Sequence, residues 1–218
     1  EKTPTFNQIE QVSKKIRVPF GYFFLQDPPK EVFTLVDFRT VDSIHINNPS
    51  RDLLDTVDLM SSVQDWMADY VKENGTDTNA VVGTVSITDD VKHTATTIRK
   101  ELGLASDWYK NHKYATEAFK YLRDSIMELG VLIMLNGVVG NNNHRILDVE
   151  EFRAFTLINP YAPLIFINSR DAENGKLFSL LHEFVHVLIG KDSFYNDVYG
   201  TAARVSKEEQ FCNRSEEH

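Results

Sequence analysis

Apolar positions recur at helical spacing through most of the first 130 residues and become denser, in short runs, beyond them. Thr3-Pro4 joins an oxygen cap to a proline that loses nothing in a first turn, and Ile9, Val12 and Ile16 then mark one helix face. Val18-Pro19 ends that helix, and a linker runs through Pro28-Pro29. After the polar stretch from Asp42 to Ser50, Leu53, Leu54, Val57, Met60, Val63, Met67 and Val71 form one stripe, which predicts a long helix stopped at Gly75. A further helix is expected after Thr88. Another runs from about Thr116 to Leu129, with Phe119, Leu122 and Ile126 inward and Gly130 closing it.

The period then shortens. Val131 to Leu135, the pair Asn136-Gly137, and Val138-Val139 carry the signature of a hairpin with a type I′ turn. Phe152 to Ile158 and Leu164 to Ile167 complete a small sheet, and Asp171 can cap a last helix that reaches Ile189 and stops at Gly190. The pattern predicts an α+β chain, mostly helical first and sheet-bearing afterwards. Its divisions are residues 1–30, a helical part 31–130, and a sheet with its helices over 131–213.

Composition narrows the function classes. With 42% hydrophobic and 25% charged residues the chain can bury a core without staples. Its net charge of -9 repels phosphate backbones and anionic lipid, so nucleic-acid binding by these residues alone is not expected. Cys212 is the only cysteine and closes no intrachain disulfide, in keeping with a reduced, cytoplasmic setting. Apolar runs fall short of the roughly 20 residues a membrane helix needs. The opening Glu1-Lys2-Thr3-Pro4 lacks an initiator Met, so the sequence reads as a fragment.

The chemistry concentrates in His182-Glu183-Phe184-Val185-His186, an HExxH motif. At 100° per residue Leu177, Leu181, Phe184 and Leu188 share one face, while His182 and His186 stack nearly opposite with Glu183 beside them. Phe178, Val187 and Ile189 make the helix apolar around most of its circumference, so it should be largely buried. Ionisable groups in such a helix are costly without a task. Imidazoles one turn apart can share a Zn²⁺ with bonds of about 2.0 to 2.1 Å, and the adjacent Glu183 is placed to act as general base toward a water whose pKa the metal lowers. That set points to amide hydrolysis.

Catalytic zinc takes a third protein ligand. The extended pattern HExxHxxGxxH fails because Ile189 stands at its glycine, so a carboxylate farther along is expected. Glu209 is placed for this, but Ser206 and Glu209 also spell an S-x-x-E capping box, and spacing leaves ligand and cap open, with Glu208 and Asp197 behind them.

Together with this motif, Glu151 to Phe155, Tyr161 to Asn168, Phe178 to Leu181 and Glu209-Gln210-Phe211-Cys212-Asn213 make the sequence resemble the ImmA/IrrE-type metallopeptidases of bacteria and their mobile elements. The resemblance implies a gluzincin-like (zincin) core in which the HExxH helix lies beside a small sheet and a following helix presents a glutamate, here Glu209, to the metal. It further implies a zinc-dependent endopeptidase, with His182, His186 and Glu209 as ligands, that cleaves a regulatory protein such as a repressor or antitoxin-like factor. Pro4 to Pro29 is similar to the tail of an XRE-type helix-turn-helix module, whose DNA-reading helix would precede Glu1; residues 31–218 are then the peptidase domain. In that family the chain continues beyond the Cys-Asn pair through a small-residue helix. Here it turns polar at Arg214-Ser215-Glu216-Glu217-His218, which predicts weaker anchoring of the helix bearing Glu209.

Two other functions fit the same residues. One is a DNA-binding transcription regulator, reading DNA through the missing amino-terminal region, whose zincin-like part senses or dimerises without cleaving. The other keeps hydrolytic zinc but acts on a nonpeptide substrate. A strand near the zinc helix should hold substrate backbone by edge addition, with Leu164 to Asn168 as the sheet element near the cleft. His45, His93, His112 and His144 read as solvated, Tyr195 and Tyr199 as loop residues that could reach an oxyanion, Asn168 as a strand end, and Cys212 as a packed small side chain.

Overall fold

The computed structural model describes residues 3–16, 18–27, 49–105, 107–195, 211–212 and 214. Contacts divide the chain into two compact units, Glu1–Val36 and Asp37–His218. In the first, α1 spans Phe6–Ile16 and precedes a 3-10 turn over Phe20–Phe24. The helix begins later than Thr3-Pro4 suggested. Thr5 N donates to Gln8 Oε1 at 2.9 Å, one half of a T-x-x-Q capping box that satisfies an amide the helix cannot.

The second unit carries helices α2 (Arg51–Glu73), α3 (Val91–Glu101), α4 (Ala115–Glu128) and α5 (Glu173–Ile189), with strands β1 (Leu132–Asn136), β2 (Val138–Val139), β3 (Asn142–Ile146), β4 (Ala154–Leu157), β5 (Leu164–Asn168) and β6 (Ser193–Tyr195). Four strands form one sheet in the order β1-β5-β4-β6, and β2 pairs with β3 in a separate ribbon. The pair β1/β5 is parallel; β4 is antiparallel to both β5 and β6.

Alternation along the strands assigns the two faces. Ile133, Ala154, Ile165 and Ile167 pack with Phe119, Leu122 and Ile126 of α4 and with Leu180, Phe184 and Leu188 of α5. Phe155, Leu157, Leu164 and Phe166 pack with Leu53, Val57 and Met60 of α2. Helices thus cover both faces, which is why β5 is apolar from Leu164 to Ile167 and buried at every residue. Polar side chains complete the joints. Gln64, buried within the α2 stripe, donates to Leu157 O at 2.7 Å and Ala162 O at 2.9 Å. Ser50 Oγ accepts from Leu53 N to cap α2, and Ser50 itself donates to both oxygens of Glu151.

Three expectations change. Asn136-Gly137 does not close a hairpin between β1 and β2: β1 instead pairs with β5, and β2 turns back on β3. The Asn136 side chain directs that joint, its Oδ1 accepting from Gly137 N and Val138 N and its Nδ2 donating to Gly140 O. Leu164–Asn168 has a neighbour on each side, so it offers no edge to an incoming strand; among the described residues β1 and β6 are the outer strands of the sheet. Asp171 does not cap α5 through the usual N-terminal bonds, since its carboxylate accepts from Ala172 N at 2.7 Å and pairs with Arg153 at 3.2 Å.

Gly190 ends α5 as its sequence position predicts, at φ 76°. Gly83 N and Val85 N donate to the last carbonyls, Val187 O and Leu188 O, so a neighbouring turn docks onto the helix end. A Cβ at Gly190 would stand 3.2 Å from Gly83 Cα in addition to the positive φ. Gly190→Ala is therefore expected to lower the unfolding free energy by about 1–3 kcal/mol, read as a lower urea midpoint at constant slope.

Candidate metal and catalytic site

The site grows from α5. Leu180, Phe184, Val187 and Leu188 sink into the core, and this packing holds the helix with His182, Glu183 and His186 also buried, at 0%, 0% and 1% exposure. Expected burial of this helix is observed; Phe178, at 40% exposure, is where its surface re-emerges. One helical turn places the two imidazoles with ring centroids 5.0 Å apart and Nε2 atoms 3.2 Å apart.

Glu183 turns toward the sheet. Its Oε2 accepts from Thr156 Oγ at 2.6 Å and from Ser193 Oγ. Its Oε1 is buried without a hydrogen-bond partner among the described residues. Thr156 and Ser193 are register partners across β4 and β6, which places both hydroxyls on the face that meets α5. Asp192 Oδ1 accepts from Ile158 N and ties the entry of β6 to the exit of β4. Sequence reading missed Thr156 and Ser193. The one available signal was a hydroxyl at the α5-facing position of the otherwise apolar strand Ala-Phe-Thr-Leu.

The remaining candidates divide. Glu209, Glu208, Asp197, Ser206, Tyr199 and His45 lie outside the described residues, as does the side chain of Tyr195. Phe211 and Cys212 are helical and buried in the same core cluster as α5, which fits the expected packing role of Cys212. His93 and His144 are exposed. His112 is half-buried, 4.8 Å from the Tyr121 ring and 5.8 Å from Trp108. Asn168 is a buried strand end whose Nδ2 donates to Phe152 O.

Among the described residues no group of three or more His, Cys, Asp or Glu gathers as a metal site. The pair of imidazoles could nonetheless share one cation, since their buried Nε2 atoms lie 3.2 Å apart. Buried nitrogen donors with the carboxylate of Glu183 between them in sequence suit a metal that takes imidazole ligands.

Residues 126–214, less than half the chain, match the family model Peptidase_M78, described as the IrrE N-terminal-like domain. The matched region begins in α4 and includes the whole sheet and α5. It supports a metallopeptidase-type function for this part of the chain. No curated protein matches the chain, and no solved structure does. No helix among the described residues is long and apolar enough to cross a membrane.

Proposed function

We propose that this chain is a zinc-dependent endopeptidase with a gluzincin-like core, acting on a regulatory protein of the repressor or antitoxin-like kind. The observation that carries the reading is the buried trio on α5: two imidazole nitrogens 3.2 Å apart, with Glu183 between them in sequence and one of its oxygens left without a partner among the described residues. The match of residues 126–214 to a peptidase family supports it independently. Residues 31–218 form the peptidase domain in this reading, and residues 1–30 are the remnant of a helix-turn-helix module.

His182 and His186 hold the metal through Nε2, and Glu209 is the third ligand. Zinc, when bound, supplies Lewis acidity toward a peptide carbonyl and lowers the pKa of water. Glu183 takes a proton from the attacking water and delivers it to the departing amide nitrogen. Its complete burial keeps bulk water from competing for that proton. Substrate backbone aligns along the outer side of β6, an edge strand among the described residues and the one that meets Glu183 through Ser193.

Elemental analysis of the purified chain tests this reading directly. One zinc per chain is expected, lost on chelation together with peptide hydrolysis. Glu209→Ala should weaken zinc retention by roughly 100-fold or more, whereas Ser206→Ala should leave it unchanged. Equal retention by both variants would remove Glu209 from the ligand set, and a chain that takes up no zinc would sink the reading.

A further inference from the structure

We propose that Thr156 and Ser193 are positioning residues that clamp one oxygen of Glu183 and thereby assign proton transfer to the other, an inference that rests on Glu183 acting as general base. Both hydroxyls are fully buried, at 0% exposure, and both donate to the same atom, Oε2. They come from different strands, β4 and β6, and meet at a paired register position.

Satisfying buried groups does not by itself demand this arrangement. Thr156 Oγ also lies 3.2 Å from Glu183 O, so its proton has a second acceptor that leaves the carboxylate alone. A carboxylate has room for about four donors over two oxygens. Here both hydroxyls converge on Oε2 while buried Oε1 has no hydrogen-bond partner among the described residues. The last torsion of a glutamate is broad and roughly two-fold, so an unclamped carboxylate would exchange its oxygens freely. Two charge-assisted bonds on one oxygen remove that freedom. The β-branch of Thr156 adds a stiff first torsion on an interior strand.

The clamp divides the labour within one side chain. Oε2 stays bound to the sheet. Oε1 receives the proton as the water oxygen bonds to the carbonyl carbon, then gives it to the amide nitrogen as the C–N bond breaks. Ser193 sits at the start of edge strand β6, so the strand proposed to align substrate also anchors the base.

The test compares Thr156→Val with Ser193→Ala, singly and together, in the zinc-loaded full chain acting on a library of internally quenched peptides. The double variant is expected to lose kcat by about 10- to 100-fold with KM within about twofold and zinc per chain unchanged. Thr156→Ser, which restores the hydroxyl, should recover kcat to within about threefold of the parent. A second readout uses the zinc-free chain: the infrared difference between the parent and Glu183→Gln isolates the Glu183 carboxylate band, which should move in the double variant and stay in place in Thr156→Ser. If the double variant does not fold, Ser193→Ala alone carries both readouts, with an expected loss of about 3- to 10-fold.

An unmoved band overturns the clamp. So does undiminished kcat in the double variant while Glu183→Gln is inactive, and in that case the peptidase reading survives. A parent chain that cleaves no peptide, indistinguishable from Glu183→Gln, defeats the peptidase reading and the clamp's catalytic role with it.

Discussion

Glu183→Gln is expected to lower kcat for peptide hydrolysis by roughly 100- to 10,000-fold while zinc content and the thermal unfolding profile stay those of the parent. The substitution keeps the side-chain shape in a position with 0% exposure, so no cavity opens. Its polar partners adapt as well. Thr156 and Ser193 meet Oε2 through hydroxyls, and a hydroxyl can rotate to accept where it had donated, so either end of the amide can occupy the clamp. What the amide cannot do is take a proton at neutral pH. The loss therefore reports proton transfer, provided single-turnover rates are compared at equal zinc occupancy. Cleavage at the parental rate with zinc bound would reject Glu183 as the base. Unaltered promoter regulation by the same variant, with its target protein intact, would instead favour a regulator that cleaves nothing.

The helices were legible because their signals are local. Ser50 caps α2, Asp90 caps α3 through Lys92 N and His93 N, and Gly75 and Gly190 take positive φ where each helix is expected to stop. HExxH was legible for the same reason: a single helical turn fixes the separation of its imidazoles. Strand partners were not. Asn136-Gly137 has the composition of a tight turn, but Ile133 packs on one face of β1 and Leu132 and Met134 on the other, so β1 is better satisfied beside β5 than in an exposed ribbon. Nor does spacing reveal that Ser193 returns to Thr156, 37 residues earlier, because their meeting depends on the register of β4 and β6. Gln64 shows the same limit. Within the α2 stripe it looks like a polar interruption, and only the fold reveals the two carbonyls it satisfies.

His186→Ala is expected to weaken zinc binding by about 1,000-fold or more and abolish hydrolysis, while the chain remains folded without metal. The 3.2 Å contact between Nε2 atoms admits a competing account, in which one imidazole simply donates to the other as a buried hydrogen bond. The two accounts differ in whether added zinc changes stability. If the pair binds metal, zinc at 1,000 times its Kd should stabilise the parent by about 4 kcal/mol through linkage, and His186→Ala should lose that response. If the pair is only a hydrogen bond, the variant costs about 1–3 kcal/mol for the contact and packing it removes, and neither chain responds to zinc. Thermal unfolding with and without zinc, at fixed protein concentration, separates them. A parent whose Tm ignores zinc would leave the imidazole pair as a packing feature of α5 and remove the basis for hydrolysis at this helix.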